Sequence, residues 1–294
     1  MRLRHAAGSE AVVSEGLQAM TTGFCDEITV MILTYNEENN IARTLDAVKW
    51  AKHILVVDSG STDRTLEIVR GYPQARLMTR AFDDVAQQSN FGLDHVETAW
   101  VLSLDADYQL SAALQREIEC LQPAEDIGGY RVSFNYCIDG RRLRSTIYPP
   151  RTVLFRPLLA RYRNEGHAIR IDVAARVEDL AGRINHDDRK PLGRWLASQM
   201  RYVPLEADYL LATPRVDLNR NARIRLMAWP APILVFFYTL IAKRCILDGW
   251  AGWLYVLQRV LAETMIALEI VDRRLRAKGA SQASAGTSPP VPPS

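Results

Sequence analysis

Three short apolar runs, each ending abruptly in polar residues, set the pattern of the first part of the chain. Ile28-Thr29-Val30-Met31-Ile32-Leu33 gives way to Thr34-Tyr35-Asn36-Glu37-Glu38-Asn39-Asn40. His53-Ile54-Leu55-Val56-Val57 gives way to Asp58-Ser59-Gly60-Ser61-Thr62-Asp63. Trp100-Val101-Leu102-Ser103-Leu104 gives way to Asp105-Ala106-Asp107-Tyr108-Gln109. Short runs rich in β-branched residues and lacking polar alternation predict strands buried on both faces. Helical spacing follows at Ile41, Leu45 and Val48 and again at Leu66 and Val69. Asn36 or Asp63 stands where a helix cap is expected. This order predicts an α/β fold with parallel strands and right-handed crossovers, which brings all three polar loops to one sheet edge.

At that edge Asp105 and Asp107 supply two hard oxygen donors. Such donors suit Mg²⁺ or Mn²⁺, and the metal in turn suits a diphosphate. An Asp-x-Asp alone is a weak signal, because solvated loop carboxylates produce the same pattern. Three polar loops converging on one edge make a single site the economical reading.

Further along, Asp83 to Leu93 and Leu110 to Leu121 read as helices, and Gly129 to Tyr136 alternates like a strand. An arginine-rich turn (Arg141, Arg142, Arg144) precedes a second strand pattern from Tyr148 to Arg156. From Leu226 to Ala242 the chain carries no charge, but two prolines sit near the start of this run. The run is shorter than the roughly 20 residues that a spanning helix needs. Trp250, Trp253, Leu254, Leu257 and Leu261 then recur at helical spacing. Basic residues flank both sides, Arg215 to Arg225 before and Arg273 to Lys278 after. Both flanks prefer the same side of a bilayer, so an interfacial or re-entrant helical pair fits better than one span.

Composition narrows the function classes. With 36 basic and 34 acidic residues the formal net charge is +2, too small to imply a polyanion-binding surface. No nucleic-acid-binding signature is present, so nucleic acid is not expected as a partner. Cys25, Cys120, Cys137 and Cys245 are scattered without C-x-x-C spacing, which disfavours a zinc site or disulfide framework and fits reduced thiols. Residues 1–24 read as a disordered leader without a signal-peptide core, with translation starting near Met20 as an alternative; the site is therefore expected in the cytoplasm. The expected organisation is an α/β domain over 25–190, a helical region over 191–279 and a Ser/Pro-rich disordered tail over 280–294.

Thr34-Tyr35-Asn36-Glu37, Asp58-Ser59-Gly60-Ser61-Thr62-Asp63 and Asp105-Ala106-Asp107 together resemble the three N-terminal signatures of the family 2 glycosyltransferases, over residues 28–110. The resemblance implies a GT-A fold, Rossmann-like with a mostly parallel sheet, and the apolar pattern beyond it adds a C-terminal helical, membrane-associated region. It implies that Thr34, Tyr35, Glu37 and Asp58 hold the nucleoside of a nucleotide-sugar, with Asn36, Ser59 and Asp63 in the same loops. Asp105 and Asp107 would hold the metal–diphosphate. Gln109 matches a glutamine that assists metal binding in the dolichol-phosphate-mannose-synthase branch. Gln88 and Asn90 occupy places where that family carries a basic or polar residue and an asparagine.

The stretch from Tyr148 to Phe155 resembles the lipopolysaccharide-core glucosyltransferase branch, whose next loop ends in His-Glu. Here that loop is Asn164-Glu165-Gly166-His167-Ala168, so the histidine is present and the following glutamate is not. The carboxylate that accepts the acceptor's proton is then expected at Glu165, beside His167, or at Asp187 or Asp188. The expected function is inverting, metal-dependent transfer, most simply from a UDP-sugar, to a lipid-linked or membrane glycan acceptor at the cytoplasmic face of a membrane. A homo-oligomer is compatible with this reading. A polyprenyl-phosphate glycosyl synthase is one alternative; it needs no base, and Arg131 or Arg142 would bind the acceptor phosphate. A non-catalytic sugar-nucleotide-binding scaffold is the other.

Overall fold

The computed structural model describes residues 23–165 and 168–285. Four strands form its first half: β1 (Ile28–Thr34), β2 (His53–Asp58), β3 (Ala75–Thr79) and β4 (Trp100–Asp105), all parallel in the order β3-β2-β1-β4. Helices α1 (Ile41–Ala47), α2 (Thr65–Arg70) and α3 (Val85–Leu93) connect them. Both faces of this sheet are covered. Val30, Ile32 and Leu102 pack on one side and Met31, Val57 and Val101 on the other, in separate apolar clusters. That double burial explains why these strands read as continuous apolar runs.

Beyond β4 the sheet is mixed rather than mostly parallel, which corrects the sequence expectation. The later strands are β5 (Tyr108–Leu110), β6 (Ile127–Ile138), the two-residue β7 (Arg141–Arg142), β8 (Arg151–Phe155), β9 (Ala160–Glu165), β10 (Ala168–Val173) and β11 (Arg176–His186), with α4 (Ala112–Glu119) between β5 and β6. The sheet continues β4-β8-β6-β11-β5. β8 runs antiparallel to both β4 and β6, and β5 antiparallel to β11. The chain leaves β6 through the left-handed pair Asp139 and Gly140 and returns as β8 between two strands already laid down. That return forces the antiparallel direction. β9 and β10 form a separate hairpin docked on α3, where the Asn90 amide donates to the Tyr162 carbonyl and accepts from the Tyr162 N–H, both at 2.9 Å.

Helices α5 (Leu192–Ala212), α6 (Arg220–Leu226), α7 (Pro230–Phe237) and α8 (Gly249–Ala285) complete the fold. Val203, Ala207, Leu210, Ala222, Ile266 and Ile270 form their own core. At its edge Arg225 of α6 pairs with Glu206 of α5 and Glu263 of α8. Contacts of α8 and of the 3-10 turn before it (Cys245–Asp248) fasten these helices to the α/β part. The Tyr255 hydroxyl accepts from the Ile147 N–H at 3.0 Å, and Asp248 accepts from the Arg144 N–H at 3.1 Å. α8 extends to Ala285, into the stretch expected to be a disordered tail. Residues 1–22 of the expected leader and 286–294 of the tail lie outside the described residues.

Candidate active site

The three polar loops meet at the C-terminal ends of β1, β2 and β4, where an open α/β sheet binds its ligand. The first two are zipped together. Asn36, at φ 54°, turns its carboxamide oxygen to accept the N–H groups of Thr62 at 2.6 Å and Asp63 at 3.3 Å, while its own N–H donates to Ser61 at 2.7 Å. A small polar residue tolerates that left-handed backbone because its side chain bonds locally. The fully buried Asp58 accepts the N–H groups of Gly60 and Ser61, each at 2.8 Å, and Gly60 takes φ 91° to allow it. Asp63 accepts from the Thr65 N–H at the start of α2, whose N-cap position is Arg64, and Asn36 joins the two loops, so neither expected residue is the cap itself. Thr34 is buried beneath them and Tyr35 is exposed at their rim. Ser59 accepts from the Gln88 amide at 3.1 Å.

The metal-type carboxylates differ from each other. Asp105 is half-exposed and lies 3.7 Å from Arg151. The Arg151 guanidinium stacks over the Tyr148 ring at 5.0 Å and donates to the Tyr108 hydroxyl. Asp107 is buried, and its Oδ2 lies 3.2 Å from Nε2 of His186, the last residue of β11. Burial pushes the Asp107 carboxyl up, but His186 and Lys190 outweigh that and hold it at about 2. The imidazole responds in kind: burial pushes it down, and Asp107 more than restores it to above its ordinary value. Rings of Tyr108, Tyr136 and Tyr148 enclose His186 at 5.3, 4.9 and 4.9 Å.

Asp107 supplies an oxygen donor of the kind Mg²⁺ or Mn²⁺ prefers, and His186 adds a nitrogen donor, which these ions favour less. Asp107 Oδ1 and His186 Nδ1 are buried with no hydrogen-bond partner, an arrangement that costs free energy unless something else satisfies those atoms. Among the described residues no three His, Cys, Asp or Glu side chains stand close enough to bind a metal alone. A divalent ion there would take remaining ligands from a diphosphate and water, as Mg²⁺ commonly does. Gln109 sits on β5 with its amide nitrogen buried and unpaired, and no hydrogen bond links it to either aspartate. The side chain that reaches Asp107 is His186 instead.

A charged cluster closes the end of the site nearest β1. Lys190 Nζ lies 2.6 Å from Glu37 and 3.5 Å from Asp188. Burial pushes the Glu37 carboxyl up to about 7 even though Lys190 and Asn40 favour its charged form. Lys190 is held above its ordinary value, because Glu37, Asp107 and Asp188 outweigh its burial.

The expected proton acceptors fare unequally. Asp187, 3% exposed, accepts from Arg43 at 2.7 Å, Arg189 at 2.9 Å and the Gly140 N–H at 3.0 Å, so its carboxylate is buried in an ion-pair network rather than turned to the loops. Asp188 accepts from Asn40 and its own loop. Glu165 is exposed at the end of β9, facing Tyr209 of α5. His167 lies outside the described residues. Of the weak acceptor candidates, Arg131 is paired with Asp179 at 2.6 Å across β6 and β11, and Arg142 is exposed on β7. Asn90 is consumed in clamping β9 rather than turned to the loops.

His186, Lys190 and Arg151 belong to the site and escaped the sequence reading. The signal available for the first two was a histidine and a lysine bracketing the acidic pair directly after an alternating strand.

Comparison with known proteins agrees with this geometry. The sequence model described as "Glycosyl transferase family 2" matches residues 29–180, just over half of the 294 residues. The chain is 32% identical over 111 residues to the lipopolysaccharide core biosynthesis glycosyltransferase LpsC of Rhizobium meliloti, covering 36% of this chain and 41% of that one. It is 37% identical over 94 residues to the uncharacterized glycosyltransferase RT0209 of Rickettsia typhi, covering 32% of each. The matched stretch thus spans between about a third and two fifths of these relatives' lengths. Among solved structures, S. aureus TarS 1-349 in complex with UDP-GlcNAc has a TM-score of 0.45 at 16% identity, covering 85% of this chain and 92% of that one. Glucosyl-3-phosphoglycerate synthase from Mycobacterium tuberculosis, in complex with Mn²⁺, UDP and glucosyl-3-phosphoglycerate, has a TM-score of 0.39 at 14% identity, covering 64% and 81%.

Proposed function

This chain belongs to glycosyl transferase family 2, and from that premise we propose that it moves a sugar, with inversion, from a nucleoside-diphosphate sugar to an acceptor held at a membrane surface. The observation that carries the donor side is the buried Asp107–His186 pair, with its unsatisfied Oδ1 and Nδ1, next to Asp105 and the zipped loops of Asn36 and Asp58. Asp107 and His186, with Asp105 alongside, would hold a divalent ion together with the donor's own diphosphate, and the bound ion would neutralise charge on the departing diphosphate. Glu37 and Asp58 would receive the nucleoside. Tyr108, Tyr136 and Tyr148 exclude water from the His186 side of the site.

For proton removal from the acceptor hydroxyl we favour Glu165. Asp187 is buried and already ion-paired with Arg43 and Arg189. Glu165 is exposed on the hairpin that Tyr162 fastens to Ser103, two residues before Asp105, by a 2.9 Å hydrogen bond.

Membrane attachment is supported by the apolar side of α7 and α8. Trp229, Phe237, Ile241 and Leu247 are each more than half exposed, and Trp250 is 88% exposed, an accumulation of large exposed apolar side chains within 22 residues of chain. Among the described residues no single helix is long and apolar enough to cross a membrane; Pro230–Ala242 with Cys245–Gly279, bent by 65°, would pass together by length and composition. Lys243 and Arg244 lie at that bend. Lying in the headgroup layer of a cytoplasmic face would bury the patch and confine the enzyme with a lipid-linked or membrane glycan acceptor. The LpsC relative, named for lipopolysaccharide core biosynthesis, is consistent with such an acceptor.

The test is binding and turnover of UDP-, GDP- and dTDP-sugars with and without Mn²⁺, comparing the wild type with Asp107→Ala. Metal-dependent turnover of one donor, abolished in the folded variant, is the expected result. A wild-type protein that binds no donor would overturn the proposal.

A further inference from the structure

Lys190 follows the last strand of the sheet and stands between the two ends of the site. Its ammonium reaches Glu37 at the end of β1 and Asp188 beside it, and it also acts electrostatically on Asp107 below β4. The side chain is only 18% exposed. A lysine ammonium has three N–H donors, and here the 2.6 Å contact to Glu37 uses one. The 3.5 Å approach to Asp188 is too long for a good hydrogen bond.

Other cations around the loops are committed elsewhere. Arg43 and Arg189 are bound by Asp187, and Arg194 donates to the Tyr35 carbonyl at 3.1 Å. Arg151 is stacked on Tyr148. The backbone at Lys190 is fixed, because its N–H donates to Asp188 and the Arg189 N–H donates to Asn40, each at 3.1 Å. Its four-carbon stem nevertheless lets the charged head move while the backbone stays.

A diphosphate placed between the nucleoside loops and Asp107 would meet the carboxylates of Glu37, Asp107 and Asp188. It needs a cation on this flank in addition to a metal at Asp107. We propose that Lys190 binds the donor diphosphate, exchanging its contacts to Glu37 and Asp188 for phosphate oxygens and so releasing Glu37 to the nucleoside. Lys190 is then a gauge of donor completeness: a nucleoside alone leaves it on Glu37, and a diphosphate draws it off. The inference rests on the nucleoside-diphosphate reading of the site.

The experiment is calorimetric titration of the full chain in Mn²⁺ with UDP, GDP and dTDP and with the matching nucleosides. A hydrogen bond to a charged group contributes about 1.5–3 kcal/mol, so Lys190→Ala is expected to weaken the preferred diphosphate about 10- to 100-fold and its nucleoside no more than about twofold. Lys190→Arg should restore most of the diphosphate affinity. Lys190→Gln, which keeps the stem, carries the same test if the alanine variant does not fold. Unchanged diphosphate affinity in the folded variants would overturn the proposal. So would equal losses for diphosphate and nucleoside, which would make Lys190 a prop for Glu37. Failure of the wild type to bind any of the three diphosphates would instead overturn the donor reading, and the proposal with it.

Discussion

Asp187→Asn separates a structural role from a catalytic one. The wild-type carboxylate is 3% exposed and is shared by Arg43 at 2.7 Å, Arg189 at 2.9 Å and the Gly140 N–H at 3.0 Å. Asparagine keeps one acceptor oxygen but presents an NH₂ group towards two guanidinium groups and removes their counter-charge. Arg189 is 39% exposed, so water screens its share and it counts for little. Arg43 is 24% exposed against a partner at 4%, and breaking such a buried pair costs about 3–5 kcal/mol. At about 2–4 °C per kcal/mol for a chain of this size, the melting temperature should fall by roughly 6–20 °C. Thermal unfolding by circular dichroism reads that loss, and turnover below the transition reads the chemistry. We expect kcat of the folded variant to stay within about tenfold of wild type, because a lost general base typically costs about 10²–10⁴-fold. An unchanged melting temperature with kcat reduced about a thousandfold would refute the structural assignment and make Asp187 the proton acceptor.

Three further outcomes are expected. Glu37 is protonated below about 7 and loses its anionic acceptor there, so binding of the preferred nucleoside diphosphate, which frees Glu37 from Lys190, should weaken as pH falls through about 7; Glu37→Gln should flatten that limb, and a limb unchanged in the variant would contradict the assignment. A Cβ at Gly252 would stand 1.8 Å from the Cys245 carbonyl oxygen, so Gly252→Ala should shift α8 against the preceding turn and cost on the order of 1–3 kcal/mol in urea unfolding. Replacing Trp229 and Trp250, 71% and 88% exposed, by serine should leave the melting temperature unchanged and reduce sedimentation with anionic vesicles about tenfold or more, since each indole buried in the headgroup layer removes a large apolar area from water.

The N-terminal half was legible because its information is local. Each strand is a continuous apolar run and each loop follows it directly, so Asn36, Asp58 and Asp105 could be assigned to one edge without knowledge of distant pairing. The mixed half was not legible in that way. β8 enters between β4 and β6 from a hairpin, and nothing in Arg151 to Phe155 states which strands will accept it. His186 and Lys190 carry no signal of their partners in the sequence, because Asp107 and Glu37 lie far back in the chain. Asp187 was misread for the same reason: its occupation by Arg43 spans 144 residues. Glu165 and Arg142 fall at hairpin ends, where spacing alone gives no direction to a side chain.

The closure of the site by β11 also sets when the site comes into being. Asn40 meets Asp188 across 148 residues, and Arg43 meets Asp187 across 144. Contacts of such sequence separation carry a large loop-closure cost and form late. During synthesis the parallel sheet of β1 to β4 has all its strands once residue 105 has emerged, yet Asp107 has no histidine and Glu37 no lysine until the chain has passed 190. On the proposed donor reading, a nascent chain would form the nucleoside loops first, and the diphosphate end would be complete only when its own later strand sealed the pocket.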